Sequence, residues 1–106
     1  MNSNVNNILR RVNRRRLKNN TQKVLVRLLE ANGTWVARTS FQIPSAASRL
    51  RDLRTNEFGN FEVECVSARD LGRSNQTRAT THLTYYRLRP DTVRAEQVNR
   101  VLEGVI

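Results

Sequence analysis

The chain has 106 residues, and its 19 Lys and Arg side chains outnumber 9 Asp and Glu, which gives a formal net charge of +10 at pH 7. This length predicts one small domain with a modest core. The one cysteine, Cys65, excludes an intrachain disulfide and a thiolate metal cluster, and no apolar run approaches the length of a membrane span. Such an excess of cations is typical of proteins that bind polyanions, nucleic acid above all, with a membrane surface or an acidic protein as alternatives.

The first segment, residues 1–20, carries six basic side chains and no acidic one. Val5, Ile8, Leu9 and Val12 recur at helical spacing and predict a short basic helix, whereas the many asparagines equally favour an arm that is ordered only on binding. Either form suits contact with phosphates or a minor groove, and a disordered solubilising tail is the alternative. The candidate contacts to the DNA backbone are Arg10, Arg11, Arg14, Arg15, Arg16 and Lys18.

The clearest helical pattern covers residues 21–32, where Val24, Leu25, Leu28 and Leu29 share one face. Asn20 or Thr21 is predicted to cap its start, and Gly33 follows at the position where a left-handed residue closes a helix. Trp35 and Val36 then predict a short strand, and residues 37–42 a brief helix or turn with Phe41 pointing inward.

A further helix is predicted to start at Pro44 and Ser45. Proline fits the first turn of a helix, and a serine oxygen can accept from a free backbone N–H there. Its apolar stripe is Ala47, Leu50 and Leu53, and it is expected to end at residues 56–60, where Gly59 lets the backbone turn. The remaining surface carries Ser45, Ser48, Arg49, Arg51, Asp52 and Arg54. The alternative is an ordinary amphipathic helix with a solvated face.

Two strands are predicted next. Phe61, Val63 and Cys65 alternate with glutamates, which predicts a half-buried strand with a buried Cys65 thiol, and residues 82–88 again look extended. The polar loop between them, residues 67–81, has a composition suited to phosphates or a minor groove, although such loops are often only solvated. His82 is a lone histidine, so a metal site is not expected.

The last segment, residues 91–106, predicts an amphipathic helix capped by Asp91 or Thr92. Its apolar stripe consists of Ala95, Val98, Val101, Leu102 and Val105. This stripe either packs on the domain or pairs with a second copy in a homodimer.

The order of elements in residues 21–89, carried by KVLVRLLEANGTWVA, SAASRLRDLR, FEVECV and HLTYYRL, resembles the winged helix-turn-helix superfamily, most closely the small winged-helix proteins of phages and prophages. The resemblance implies an α+β winged helix-turn-helix domain at residues 21–89, a three-helix core with a short antiparallel β wing. The basic arm at residues 1–20 and the C-terminal helix at residues 91–106 flank this domain.

The resemblance also implies roles for individual residues. Ser45, Ala46, Ser48, Arg49 and Arg51 would face the major groove, where an arginine that donates two bonds to guanine gives about 1–3 kcal/mol of discrimination. Arg54, Lys23 and Arg38 would contact phosphates, and Asp52 would pair with a neighbouring arginine. The wing candidates are Arg69, Arg73, Asn75, Gln76 and Arg78.

We therefore expect a sequence-specific regulator that binds double-stranded DNA in the cytoplasm of a bacterium or phage-infected cell, without a cofactor. The alternatives are a nonspecific accessory protein that binds DNA or RNA, and a phage factor that binds a host protein through the C-terminal helix. Catalysis is disfavoured because the chain has one His, no glycine-rich phosphate loop and scattered carboxylates.

Overall fold

The computed structural model describes residues 3–70 and 84–103. Within these ranges α-helices and a small antiparallel sheet enclose one apolar core, so the predicted α+β class is confirmed. The elements are α1 (Ser3–Arg11), α2 (Asn20–Ala31), β1 (Val36–Ala37), α3 (Ala46–Asp52), β2 (Glu64–Ser67), β3 (Thr84–Arg87) and α4 (Ala95–Val101). Short 3₁₀ turns lie at Arg14–Arg16, Arg38–Phe41, Asn56–Phe58 and Pro90–Thr92.

The core is built around α2. Val24, Leu25, Leu28 and Leu29 are each at most 2% exposed, and α1, α3 and β3 all pack against this helix. Its cap is Asn19, whose side-chain oxygen accepts from the N–H of Gln22 at 2.9 Å, so the predicted caps Asn20 and Thr21 lie one or two residues too late. At the other end Asn32 takes the left-handed conformation, with φ 50°, and closes the helix.

The predicted basic helix within residues 1–20 is present as α1. Val5 and Ile8 on this helix and Val12 just beyond it are buried in the same core as α2, and α1 packs mainly against α4. Burial of these three side chains fixes the segment to the domain. Helix α1 (Ser3–Arg11) therefore contributes to the same core as α2.

The sheet has strand order β1-β3-β2 and is antiparallel throughout. Tyr86 on the central strand β3 lies opposite Val36 on one side and Cys65 on the other. β2 begins at Glu64, later than the predicted strand, because Phe61 and Val63 are buried in irregular backbone ahead of it.

Cys65 is exposed, so the prediction of a buried thiol is wrong. Directly opposed residues of an antiparallel pair share a face of the sheet, and Tyr86 on that face packs edge-to-face on Phe41 with ring centroids 6.4 Å apart. The alternation therefore assigned Cys65 to the correct face. However, β2 is an edge strand, and the core does not extend beneath its outer side.

The C-terminal helix begins later than predicted. Asp91 and Thr92 belong to a 3₁₀ turn, and α4 starts after Arg94, whose backbone N–H donates to the side-chain oxygen of Gln97 at 2.8 Å. Val98, Val101 and Leu102 are buried in the core, and the side chain of Gln22 on α2 donates to the carbonyl oxygen of Val101 at 3.0 Å. This burial favours the packing alternative, while the homodimer stays a prediction. Val105 lies outside the described residues.

The turn after α3 depends on Gly59, which has φ 97°. A Cβ at this position would lie 2.8 Å from Cε2 of Phe61 and 3.2 Å from the carbonyl oxygen of Gln97. We expect Gly59→Ala to lower the free energy of unfolding by about 1–3 kcal/mol, because both the backbone and the contact are strained. Urea denaturation measures the change. Thr39→Ala, at an exposed position, should stay within about 0.5 kcal/mol of the original protein, and equal stability of the two variants would contradict the prediction.

Candidate nucleic-acid interface

The helix α3 starts without a side-chain cap. Ser45 occupies the N-cap position with φ 58°, and its side chain makes no capping hydrogen bond. An N-cap serine normally has an extended conformation from which its oxygen reaches a free N–H, and the left-handed Ser45 lacks that geometry. The predicted serine cap is therefore wrong. The carbonyl oxygen of Ser45 instead accepts from the N–H groups of Ser48 and Arg49 at 3.0 and 3.2 Å.

The core face of α3 consists of Ala46, Leu50 and the following Leu53, each at most 6% exposed. The helical period aligns positions i, i+4 and i+7, which makes Ala46 the first member of the stripe in place of the predicted Ala47. Burial removes Ala46 from the predicted base contacts. Ala47 is half-buried and lies nearer the surface.

Two arginines on the outer side of α3 have different partners. Nε of Arg49 lies 3.3 Å from a carboxylate oxygen of Asp52, which confirms the predicted pairing of Asp52 with a neighbouring arginine. This contact lacks hydrogen-bond alignment and is electrostatic. Arg51 is exposed, and its Nη2 donates to the hydroxyl of Ser48 at 3.2 Å. Because a hydroxyl does not neutralise the guanidinium, Arg51 is the α3 side chain best suited to a base edge or a phosphate.

The guanidinium of Arg54 turns back toward the strands. Its Nε and Nη2 donate to the carbonyl oxygen of Val63 at 3.0 and 2.7 Å, and nearby the N–H of Phe61 donates to the carbonyl oxygen of Leu53 at 2.7 Å. These bonds fasten the end of α3 to the segment that leads into β2. Arg54 remains exposed at the surface, so its predicted phosphate contact stays a prediction alongside this structural role.

A groove of about 330 Å³ lies between α3 and the edge strand β2, and we call it the α3–β2 groove. It is lined by Ala47, Leu50, Arg51, Arg54, Cys65 and Tyr86. The sequence did not predict it, because its lining residues are far apart in the chain and meet only in the fold.

A charged cluster on the sheet was not predicted from the sequence either. The guanidinium of Arg87 lies over the Trp35 ring, 4.3 Å from its centroid, and its Nε donates to Glu64 at 2.9 Å. Nε of Arg89 is 3.3 Å from the same carboxylate oxygen. Glu64 and Arg87 are directly opposed across β2 and β3, a pairing that requires knowledge of the strand register.

A further basic surface is formed by Arg10, Arg14, Lys23, Arg27 and Glu30, and we call it the α1–α2 surface. Arg10, Arg14 and Glu30 line a cleft of about 570 Å³ with Asn6 and Leu9, and Nη2 of Arg14 donates to Glu30 at 2.5 Å. Lys23 and Arg27 are exposed on the α2 stripe that continues to Glu30, since positions three and four apart on a helix are neighbours. Four cations thus share this surface with one carboxylate.

The other predicted contacts are spread over the surface. The exposed ones are Arg11, Arg15, Arg16, Lys18, Arg38 and Arg69. Arg38 belongs to the 3₁₀ turn that packs against α3. The wing candidates Arg73, Asn75, Gln76 and Arg78, and also His82, lie outside the described residues.

Comparisons with known proteins identify no relative. A scan against protein-family models finds no match, and searches of curated proteins and of solved structures find none either. Among the described residues no group of three or more His, Cys, Asp or Glu could hold a metal ion. None of the helices in residues 3–70 and 84–103 has the length and apolar character needed to cross a membrane.

The Arg54–Val63 contact yields a stability prediction. Arg54→Lys keeps the charge but loses the two-pronged donation to the Val63 carbonyl, so we expect the free energy of unfolding to fall by about 1–2 kcal/mol. Arg51→Lys removes only a contact to an exposed hydroxyl and should change it by less than about 0.5 kcal/mol. Urea denaturation of both variants measures the difference. Equal losses would show that the Val63 contact contributes nothing specific.

Proposed function

We propose that the protein is a sequence-specific DNA-binding regulator of the winged helix-turn-helix type. The observation that carries this proposal is the exposed arginine side of α3, packed on α2 and next to the paired strands β2 and β3. The order of helix, short strand, 3₁₀ turn, arginine-bearing helix and paired strands agrees with the arrangement that the resemblance implies. In this reading α3 enters the major groove.

The arginines on and next to α3 would have different roles in recognition. Arg51 would donate two hydrogen bonds to a guanine edge, since the hydroxyl of Ser48 is the one partner of its guanidinium within the described residues. Arg49 would contribute less, because Asp52 already attracts its guanidinium. Arg38, on the turn against α3, would hold a phosphate and set the depth of the helix in the groove.

The α1–α2 surface would add contacts to the DNA backbone. Arg10, Lys23 and Arg27 have no carboxylate within ion-pair distance in the described part of the chain, whereas Arg14 is held by Glu30. A surface of this kind supplies affinity without base readout.

The second candidate is a nonspecific nucleic-acid-binding accessory protein. It is favoured by the net charge of +10 and by the many exposed cations that lie away from α3. A host protein bound through α4 has less support, because the described part of the α4 stripe is buried within the chain.

Selection from a random duplex library at about 150 mM salt separates the two candidates, since simple charge attraction is well screened there. A regulator enriches one motif, and the symmetry of that motif reports whether a homodimer binds. Retained binding with no enriched motif would establish the nonspecific protein instead.

Base reading by α3 is tested with the selected site. We expect Arg51→Ala to weaken binding to that site by about 1–3 kcal/mol while changing binding to a scrambled duplex much less. Arg27→Ala on α2 removes the same charge and should weaken both duplexes equally. Fluorescence anisotropy titrations measure these affinities. A loss on Arg51→Ala that is the same for both duplexes would refute base reading by Arg51.

The α1–α2 surface is tested by salt dependence. If Lys23 neutralises one phosphate, Lys23→Ala should reduce the slope of log affinity against log salt concentration by about 0.9 on every duplex. Glu30→Gln releases Arg14 and should raise affinity at low salt. An unchanged slope for Lys23→Ala together with an unchanged affinity for Glu30→Gln would place this surface outside the DNA contact.

A further inference from the structure

The α3–β2 groove lies against β2, which is an edge strand of the sheet. β2 pairs only with β3, and no strand lies against its other edge within residues 3–70 and 84–103. Just before β2, the carbonyl oxygen of Val63 accepts from Arg54. In an antiparallel pair the backbone groups of every second residue face away from the partner strand, so alternate residues of β2 present N–H and C=O groups on this edge.

The lining of the groove combines apolar surface with fixed cations. Tyr86, braced by Phe41, and Leu50 supply the apolar part. The guanidinium of Arg54 is held by the Val63 carbonyl and that of Arg51 by the Ser48 hydroxyl. Among the described residues, none of those that line the groove is a carboxylate. Since both cations are positioned before any ligand arrives, binding of an anionic group would cost little additional side-chain ordering.

We propose that the groove binds an extended acidic peptide segment of a partner protein, which adds to the outer edge of β2 as a further strand. Main-chain hydrogen bonds to the edge supply affinity, and alternate side chains point into the groove. Carboxylates among these side chains meet Arg51 and Arg54, and an apolar side chain meets Tyr86. A nucleic-acid strand could contact the arginines but cannot continue a β-ladder, so the free edge selects a peptide.

The proposal is independent of DNA reading, although both use Arg51. Its probe is a fluorescein-labelled peptide of about eight residues that alternates Glu and Val, a length typical of a strand. Two further versions of the peptide are N-methylated, one on the backbone amides of its odd-numbered residues and the other on those of its even-numbered residues. Each version keeps the charge of the peptide and loses the N–H donors of one strand edge. Anisotropy titrations use the full chain at about 150 mM salt, where free charges are screened.

We expect the unmodified peptide to bind and one methylated version to bind at least about tenfold more weakly, because it loses the hydrogen bonds of one register. The other methylated version should bind nearly as well as the unmodified one. Arg51→Ala should weaken binding, and Arg27→Ala, which removes a cation away from the groove, should not. Equal affinity of all three peptides, or no binding of the unmodified peptide, would overturn the proposal.

Cys65 provides a second readout, because its exposed thiol lines the groove and is the only cysteine of the chain. A saturating concentration of the peptide should slow alkylation of Cys65 by iodoacetamide, and the Cys65→Ser variant controls for reaction elsewhere. An unchanged rate would overturn the proposal. These assays contain no DNA, so their failure is distinguishable from failure of the duplex selection.

Discussion

Burial of α2 is the constraint on which the rest of this small structure depends. Each fully buried leucine or valine contributes about 1.5–3 kcal/mol, and α2 supplies Val24, Leu25, Leu28 and Leu29 to the core. α1 and α3 pack against it directly, and α4 is tied to it by the bond from Gln22 to Val101. Covering α2 from several directions requires both terminal helices, which is why α1 and α4 are integral to the core.

The same constraint arranges the charges. Because apolar faces point toward α2, the cations lie outward, and the few carboxylates decide which of them are neutralised. In the described part of the chain, Glu30 pairs with Arg14, Asp52 with Arg49, and Glu64 with both Arg87 and Arg89. Arg51 on α3 and Lys23 on α2 have no carboxylate in this set. Unpaired cations therefore remain on α3 and on the α1–α2 surface, as they do at exposed positions elsewhere on the domain.

The features that could be predicted from the sequence are those that depend on local patterns of residues. The apolar periodicity of α2 and of α1, the order of helices and strands, and the pairing of Asp52 with an arginine all follow from residues near one another in the chain. Long-range placement was not predictable in the same way. Exposure of Cys65 depends on the edge position of β2. The bond from Arg54 to Val63 depends on the turn between these two residues. The Glu64–Arg87 pair depends on the register of the two strands. The left-handed Ser45 lacks any local signal, since serine is an ordinary N-cap.

The shortness of α3 gives the Arg54–Val63 bond its importance. Helices shorter than about 12–15 residues are marginal in isolation, so the seven residues of α3 keep their geometry through tertiary contacts. One contact is the apolar face on α2, and the other is the bidentate bond from Arg54 to Val63. The second contact joins the end of α3 to the segment that leads into β2, so that α3, Arg51 included, and this segment form one unit. A duplex read by α3 and a peptide paired with β2 would both occupy that unit and both use Arg51. It follows that the two proposed partners exclude one another, and that an acidic segment seated on β2 would release the protein from DNA.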